Sequence, residues 1–475
     1  MQFRVERDML GDAVAWVARA LPARPVIPVL SGMLVQAADD GVTLSCFDYE
    51  ISARVSIRAA VPEAGTALVP GRLLAEIVRS LPGLPVDVSL TADMVTLTCG
   101  GAEFEIVSLP LDEYPALPEL PGAAGTVDSA MLAAAAAQVV PSASKDDTLP
   151  MLTAVCMDID GPAMTLAGTD RYRLAVRTLD WRPARPGQRI IALVPARTLA
   201  EAARSMAGAG TVSIAFSAVG DAAEAAGAAG AAGGPGADSG TAAAAGGTDI
   251  RAAAAAMSRA AAGQIGAKQQ AGRAPADPKS VDGLVSFEGG DRRLTARLIG
   301  GEYIKYAARF PAEFGCRAEL PAAQFTEAVR RVSLVADRVS PVRLAFGPDS
   351  VSVQAETNGR ARAAESVPAT FAGTEQVISF APHYLLDGLA AAAVSGEARQ
   401  ATAGDDEEMA VDAAAAGEAA ARPDVAGPGL VRLEFTSSAK PALITWVEVA
   451  DSEPTTGAAS SFRYLVVPLR VPTSG

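Results

Sequence analysis

The phrase LVPGRLLAEIVRS, from Leu68, returns as LVPARTLAEAARS, from Leu193, with nine of thirteen positions identical at an offset of 193 − 68 = 125 residues. A fixed internal period constrains architecture more than any local pattern, because each copy must build a similar unit. Both copies read as a helix behind a proline, since Pro70 and Pro195 stand where a missing N–H has no intrahelical partner to lose. At about 100° per residue, Leu74, Ile77, Val78 and Leu81 share one apolar arc. Arg72 and Arg79 lie nearly opposite it, and Arg197 and Arg204 repeat the spacing. One such helix alone reads as a solvated surface helix. Two copies with the same arginine stripe argue for a shared use.

A third copy emerges once two low-complexity stretches are set aside. Residues 217–280 are mostly Ala, Gly and small polar residues with no aromatic ring, a composition expected to form a disordered loop. Residues 397–428 form a second expected disordered insert, acidic through DDEEM. Pro382, in SFAPHYLLDGL, resembles Pro70 and Pro195 in position. Its offset of 382 − 195 = 187 falls to 123 when the 64 residues of 217–280 are removed. Three units follow, at 1–121, 122–312 and 313–475. Each opens with a helix (8–21, 128–140 and 321–335) and continues into strand pairs, such as VTLSCFDYEISARV from Val42 and MTLAGTDRYRLAVR from Met164. Asp48 and Asp170, 122 apart, mark the same place in the first two. VSVQAETNGRARAA from Val351 is the weaker third counterpart. The expected fold is α+β, with two helices packed on antiparallel β-sheet in each unit.

Composition narrows function by exclusion. The net charge is −14, of which the acidic insert supplies 8 − 2 = 6 negative charges. A protein that holds phosphates must then do so with a local basic surface on an acidic body. There is one histidine, His383, and no GxxxxGK[ST] loop, so no catalytic residue, cofactor or metal is expected. Asp170 beside Arg171 and Arg173 reads as a salt bridge on a strand turn. Cys46, Cys99, Cys156 and Cys316 are scattered singly and read as free thiols. No run of 18 apolar residues occurs and the start, MQFRVERD, lacks a signal pattern. The expectation is a soluble, cytoplasmic chain with no membrane partner.

At this point the chain resembles the bacterial DNA polymerase III beta subunits, the sliding clamps. The stretches that carry the resemblance are RPVIPVLSGMLV from Arg24, TDRYRLAV from Thr169, ARLIGGEYIKY from Ala296, PVRLAF from Pro341 and the terminal YLVVPLR from Tyr464. Length and alanine richness are similar to actinobacterial members. The resemblance implies a head-to-tail homodimer of three-domain subunits, a ring of six modules around duplex DNA bound without sequence preference. It implies a noncatalytic processivity factor whose partners are the clamp loader, the alpha subunit of the replicative polymerase and other proteins bearing a clamp-binding motif. A clamp-like paralogue, a noncatalytic interaction protein without the full replicative role, is the second reading.

Site residues follow from that resemblance together with helix phase. Arg24 and Arg72 match family positions near DNA. Arg79, Lys145, Arg197 and Arg204 join them as expected DNA-facing residues from helix phase. The alternation in GGAEFEIVSLP reads as an edge strand, and an unpaired edge invites another chain. Phe104 and Ile106 match the family's first-domain interface positions and Leu334 the facing one. Glu103 and Glu105 are expected to meet Arg360 and Arg362. The family's peptide pocket, between the second and third domains, carries over onto Leu152, Thr169, Arg171, Tyr172, Arg173, Leu174, Ile304, Pro441, Leu465, Val467, Pro468, Leu469 and Arg470. Two departures stand out: Ile304 replaces a usual proline, and Arg309 stands where the family has an apolar pocket residue.

Overall fold

The computed structural model describes residues 1–39, 41–117, 122–218, 283–337, 340–357, 359–407, 429–448 and 461–469, and for 218, 395–407 and 448 the backbone alone. Among the described residues six α-helices fall in pairs: α1 (Arg7–Ala18) with α2 (Gly71–Ser80), α3 (Ser129–Val139) with α4 (Ala196–Ser205), and α5 (Ala322–Ser333) with α6 (Pro382–Glu407). The helix faces are those of the period. Leu74, Ile77 and Val78 of α2 are buried, as are Leu199, Ala202 and Ala203 of α4. The first helices match one another in the same way, with Leu10, Val14 and Val17 of α1 against Phe325, Val329 and Val332 of α5. Asp128 caps α3 by accepting the Met131 N–H at 2.9 Å, a contact worth roughly 1 kcal/mol.

All the sheets are antiparallel, and every unit contributes one half of five strands and one of four. The five-stranded half of the first unit stands alone and ends at a free edge, Ala102–Val107. Its four-stranded half joins the second unit's five strands where Ile51–Arg58 pairs with Arg292–Arg297, giving a nine-stranded sheet. The second unit's four strands join the third unit's five where Arg173–Asp180 pairs with Phe462–Val466, giving another. The third unit's four-stranded half stands alone, with Ala361–Pro368 at its edge. The helices cover one face of this array, so the sheets' other face points outward. The merging of sheets across units is the one architectural feature that the periodic pattern does not announce, because pairing between distant strands leaves no local trace.

A tight turn recurs at the same place in each unit. Asp48 Oδ1 accepts the N–H groups of Glu50 and Ile51, and Asp170 Oδ1 those of Tyr172 and Arg173. The residue after each aspartate is left-handed, Tyr49 at φ 72° and Arg171 at φ 79°. The third unit places Gly359 there at φ 71°. Asp170 is thus a structural group: its second oxygen takes Arg173 Nε at 3.0 Å. All four cysteines are buried free thiols.

Four expectations need correction. Ala381, not Pro382, occupies the position of Pro70 and Pro195: Val342 pairs with Phe380 as Met33 pairs with Val69, and Pro382 is the first residue of α6. The glycine-rich insert begins later than 217, since Ser217 and Ala218 still pair with Leu284 and Gly283; the rest of it, 219–280, lies outside the described residues. The acidic insert begins inside α6, which runs to Glu407 because alanine-rich sequence propagates a helix nucleated on a packed first turn. Its remainder, 408–428, lies outside the described residues. Lys145 sits in a loop after the short turn Val140–Ser142, so helix phase has no bearing on it.

Candidate functional site

Two surfaces carry the candidate residues, one on the helix side and one on the outer side. On the helix side Arg24, Arg72, Arg79, Lys145, Arg197 and Arg204 are all exposed. Arg72 Nη2 donates to the carbonyls of Leu21 (3.4 Å) and Pro22 (3.2 Å), which ties α2 to the loop that carries Arg24. Arg204 and Arg19 both reach Glu201, at 2.9 and 3.1 Å. Among the described residues Arg79 and Arg197 have no ion-pair partner. Arg72 and Arg197 occupy the first turn of their helices, where the macrodipole repels a cation by about 0.3–1 kcal/mol. A basic residue kept at that end in two copies adds to the positive potential that already suits an anion. At the corresponding positions α6 has His383 and Ala390, so the stripe is absent from the third copy.

Sequence reasoning missed the residues that join the first two units here. A cleft of about 230 Å³ between them is lined by Trp16, Arg19, Arg197, Thr198, Glu201 and Leu294, among others. The Arg292 guanidinium lies 5.4 Å from the Trp16 ring and donates to the Ser205 carbonyl at 3.0 Å.

The outer surface lies over the join between the second and third units. Leu174 and Leu465 pair directly across it and belong to an apolar cluster with Cys156, Val176, Leu193, Tyr303 and Leu443. The segment after Arg297 crosses this cluster. Its Ile304, Tyr306, Phe310 and Phe314 pack down on it, and the Tyr306 hydroxyl donates to Asp158 at 2.9 Å. Burial pushes the Tyr303 and Tyr306 hydroxyls well above the ordinary phenol range, so both stay neutral. Four aromatic rings in twelve residues of connecting segment were the available signal for this cover. Polar loops do not need them.

Around the cluster, Leu152, Thr169 and Pro468 are buried, Ile304 and Pro441 half-buried, and Tyr172, Val467 and Leu469 exposed. The Val467 N–H donates to the Tyr172 carbonyl at 2.8 Å and the Leu469 N–H to that of Ser379 at 2.7 Å. The terminal segment is thereby held beside Tyr172, which stacks on Tyr384 with ring centroids 5.9 Å apart. Arg171 and Arg309 are exposed. Arg470 lies outside the described residues.

Arg173 departs from expectation. Successive strand residues point to opposite faces, so Leu174 lines the outer cluster while Arg173 turns to the helix side. There its guanidinium bonds Asp170, Asp387 and the Pro141 carbonyl, and lies 4.7 Å from the Tyr384 ring centroid. Burial alone would make it less basic. Tyr464, Asp387 and Asp170 more than offset that and raise its basicity. Arg173 thus ties the second unit to the third through Asp387. The residues expected at the remaining edge are split: Glu103, Phe104, Glu105 and Ile106 lie on the free strand Ala102–Val107, Arg362 on Ala361–Pro368, and Arg360 in the turn before it. Leu334 is the C-cap of α5 and 82 % exposed.

Among the described residues no cluster of His, Cys, Asp and Glu is placed to hold a metal ion, and no helix is long and apolar enough to cross a membrane. Known proteins agree on the fold and extend it. Residues 1–118, 126–229 and 308–399 match the N-terminal, central and C-terminal domains of the DNA polymerase III beta subunit. A beta sliding clamp of Streptomyces coelicolor is 38% identical over 99% of this chain and 100% of its own length. One from Micrococcus luteus is 40% identical over 78% of this chain and 99% of its own. The DNA polymerase sliding clamp of Bacillus subtilis superposes with a TM-score of 0.71, covering 99% of both chains at 21% identity. On these matches the chain belongs to the DNA polymerase III beta subunit family, the sliding clamps, which are processivity factors and not enzymes.

Proposed function

We propose that two copies of this chain close head to tail around duplex DNA and hold replication proteins at the groove over the second and third units. The observation that carries this reading is the pair of unmatched sheet halves. Each join inside the chain unites a four-stranded half with a five-stranded half of the next unit, and the two halves left over are one of each. Pairing the four-stranded half of one copy with the five-stranded half of the next repeats the internal joins, and a heterologous contact whose rotation closes gives a ring. The domains are 1–121, 122–312 and 313–475. Helix packing supports the same closure. The first helix of one unit meets the second helix of the next, α1 with α4 through Arg19 and Glu201, and α3 with α6 through Gln138 Nε2 and the Ala391 carbonyl at 2.8 Å. On that pattern α5, with the exposed Leu334 at its end, faces α2 of the second copy, where Leu73 is exposed.

Arg24, Arg72, Arg79, Lys145, Arg197 and Arg204 then line the hole as a loose phosphate-facing surface that allows sliding. The groove bounded by Tyr172, Ile304, Val467, Pro468 and Leu469 receives the hydrophobic anchors of clamp-binding motifs, and Arg171 and Arg309 supply charge at its mouth. The clamp loader and the polymerase alpha subunit are the partners of this groove, in the cytoplasm. Apolar walls desolvate such anchors and give most of the affinity. Fluorescence titration with a labelled hydrophobic clamp-binding peptide tests the groove. Micromolar binding is expected, about −8 kcal/mol, falling at least tenfold in a Val467→Asp, Leu469→Asp variant whose circular dichroism is unchanged. Equal binding by parent and variant would move the site elsewhere.

A further inference from the structure

The internal joins fix more than the order of the sheets; they fix a register. The hairpins that lead into the joining strands begin with equivalent pairs, Gly41↔Arg58, Ala163↔Asp180 and Ser350↔Pro368. Ile51, Ser52 and Ala53 of the first unit therefore correspond to Arg173, Leu174 and Ala175 of the second and to Ala361, Arg362 and Ala363 of the third. On the receiving side, Cys99↔Ala102 and Gly289↔Arg292 close equivalent hairpins, so Phe104, Glu105 and Ile106 correspond to Leu294, Thr295 and Ala296.

Inside the chain Leu294 pairs with Ala53 and Tyr464 with Ala175, a large side chain against alanine on the helix face in both cases, all four buried. The same register places Phe104 opposite Ala363. The third join would thus repeat the pairing of a large side chain with alanine. Beyond the last pair, Arg297 N–H donates to the Glu50 carbonyl at 2.9 Å and Val467 N–H to that of Tyr172 at 2.8 Å. Val107 and the Arg360 carbonyl are their counterparts, which accounts for Arg360 lying in the turn.

The outward-facing pair differs in kind at each join. It is Ser52 with Thr295 at the first, both buried hydroxyls, and Leu174 with Leu465 at the second, the floor of the peptide groove. At the third it is Arg362 with Glu105. We infer that Glu105 of one copy and Arg362 of the next face each other across the closing seam and form a charge key that selects a second copy of this chain as the partner. This rests on the head-to-tail reading above. Two further groups share the row. Glu356 lies opposite Arg362 within its own hairpin and Thr96 opposite Glu105, so the closed seam reads Thr96, Glu105, Arg362, Glu356. The arginine is flanked by carboxylates on both sides. Glu103 faces Ala364, with Arg362 as its diagonal neighbour. Among the described residues no connecting segment of the same chain covers this seam, so the key is expected to stay in contact with solvent and to be screened by salt.

The test is a mixing experiment by sedimentation velocity at low and high salt. Glu105→Arg alone places arginines opposite one another at both seams of its ring, and Arg362→Glu alone places carboxylates there. Each variant, folded by circular dichroism, is expected to dimerise roughly tenfold or more weakly than the parent at low salt, since like charges directly opposite across a strand pair repel where unlike charges attract. Mixed in equal amounts, the two should form a heterodimer near parental strength, because both its seams again oppose unlike charges. Phe104→Arg should be monomeric whatever it is mixed with. If the charge variants dimerise like the parent while Phe104→Arg does not, the register is wrong and the ring stands. Weakening without rescue on mixing overturns the key as well. A dimeric Phe104→Arg refutes the edge itself and with it the head-to-tail reading.

Discussion

Arg173 and Leu174 are adjacent residues with opposite duties. Leu174 belongs to the outer apolar cluster, while Arg173 holds Asp170, Asp387 and a carbonyl on the opposite face. Removing one member of such a network leaves charge without compensation. Asp387 is 43 % exposed, so water softens part of the loss. Arg173→Met should lower the unfolding free energy by about 3 kcal/mol in urea titration, the lower end for breaking a buried ion pair. A change under about 1 kcal/mol would show that the network contributes little. The alternation in TDRYRLAV already assigns the two residues to different faces. It does not say which face is the outer one, because apolar cover lies on both sides of this strand, and only the position of the aromatic segment 298–315 decides it.

The arginine stripe belongs to the element scale. Two of the three second helices carry it, at their first and last turns. The first-turn arginines oppose the macrodipole, whereas Arg79 and Arg204 sit at the favoured end. A stripe present only for solubility would not be expected to place cations at the unfavourable end twice. Reversing Arg72, Arg79, Arg197 and Arg204 to Glu should leave dimerisation and thermal unfolding near parental values while shortening residence on DNA circles several-fold at low salt. Because phosphate contacts release counterions, the salt dependence of residence should also flatten. Unchanged residence would detach the stripe from DNA. Helix pairs and the edge strand 102–107 were legible from spacing alone, since both are set by local periodicity. The merging of sheets was not, because Ile51–Arg58 and Arg292–Arg297 lie more than two hundred residues apart and neither strand names its partner.

For the whole molecule, an acidic body with a local stripe of exposed arginines is what the proposed ring needs, since DNA would pass through its centre and be repelled elsewhere. The net charge of −14 and the exposed stripe are then compatible parts of one design. The proposed ring closes at a seam that has no covalent connection, and opening for loading is expected there. A ring held by topology differs from a DNA-binding surface in its response to a free DNA end. The protein, loaded onto nicked circular DNA by a clamp loader, should travel with the circle through gel filtration at moderate salt. Cutting the circle once should release it, because a ring held by encirclement slides off a free end. Equal retention on cut and uncut DNA, or none on the circle, would contradict the account.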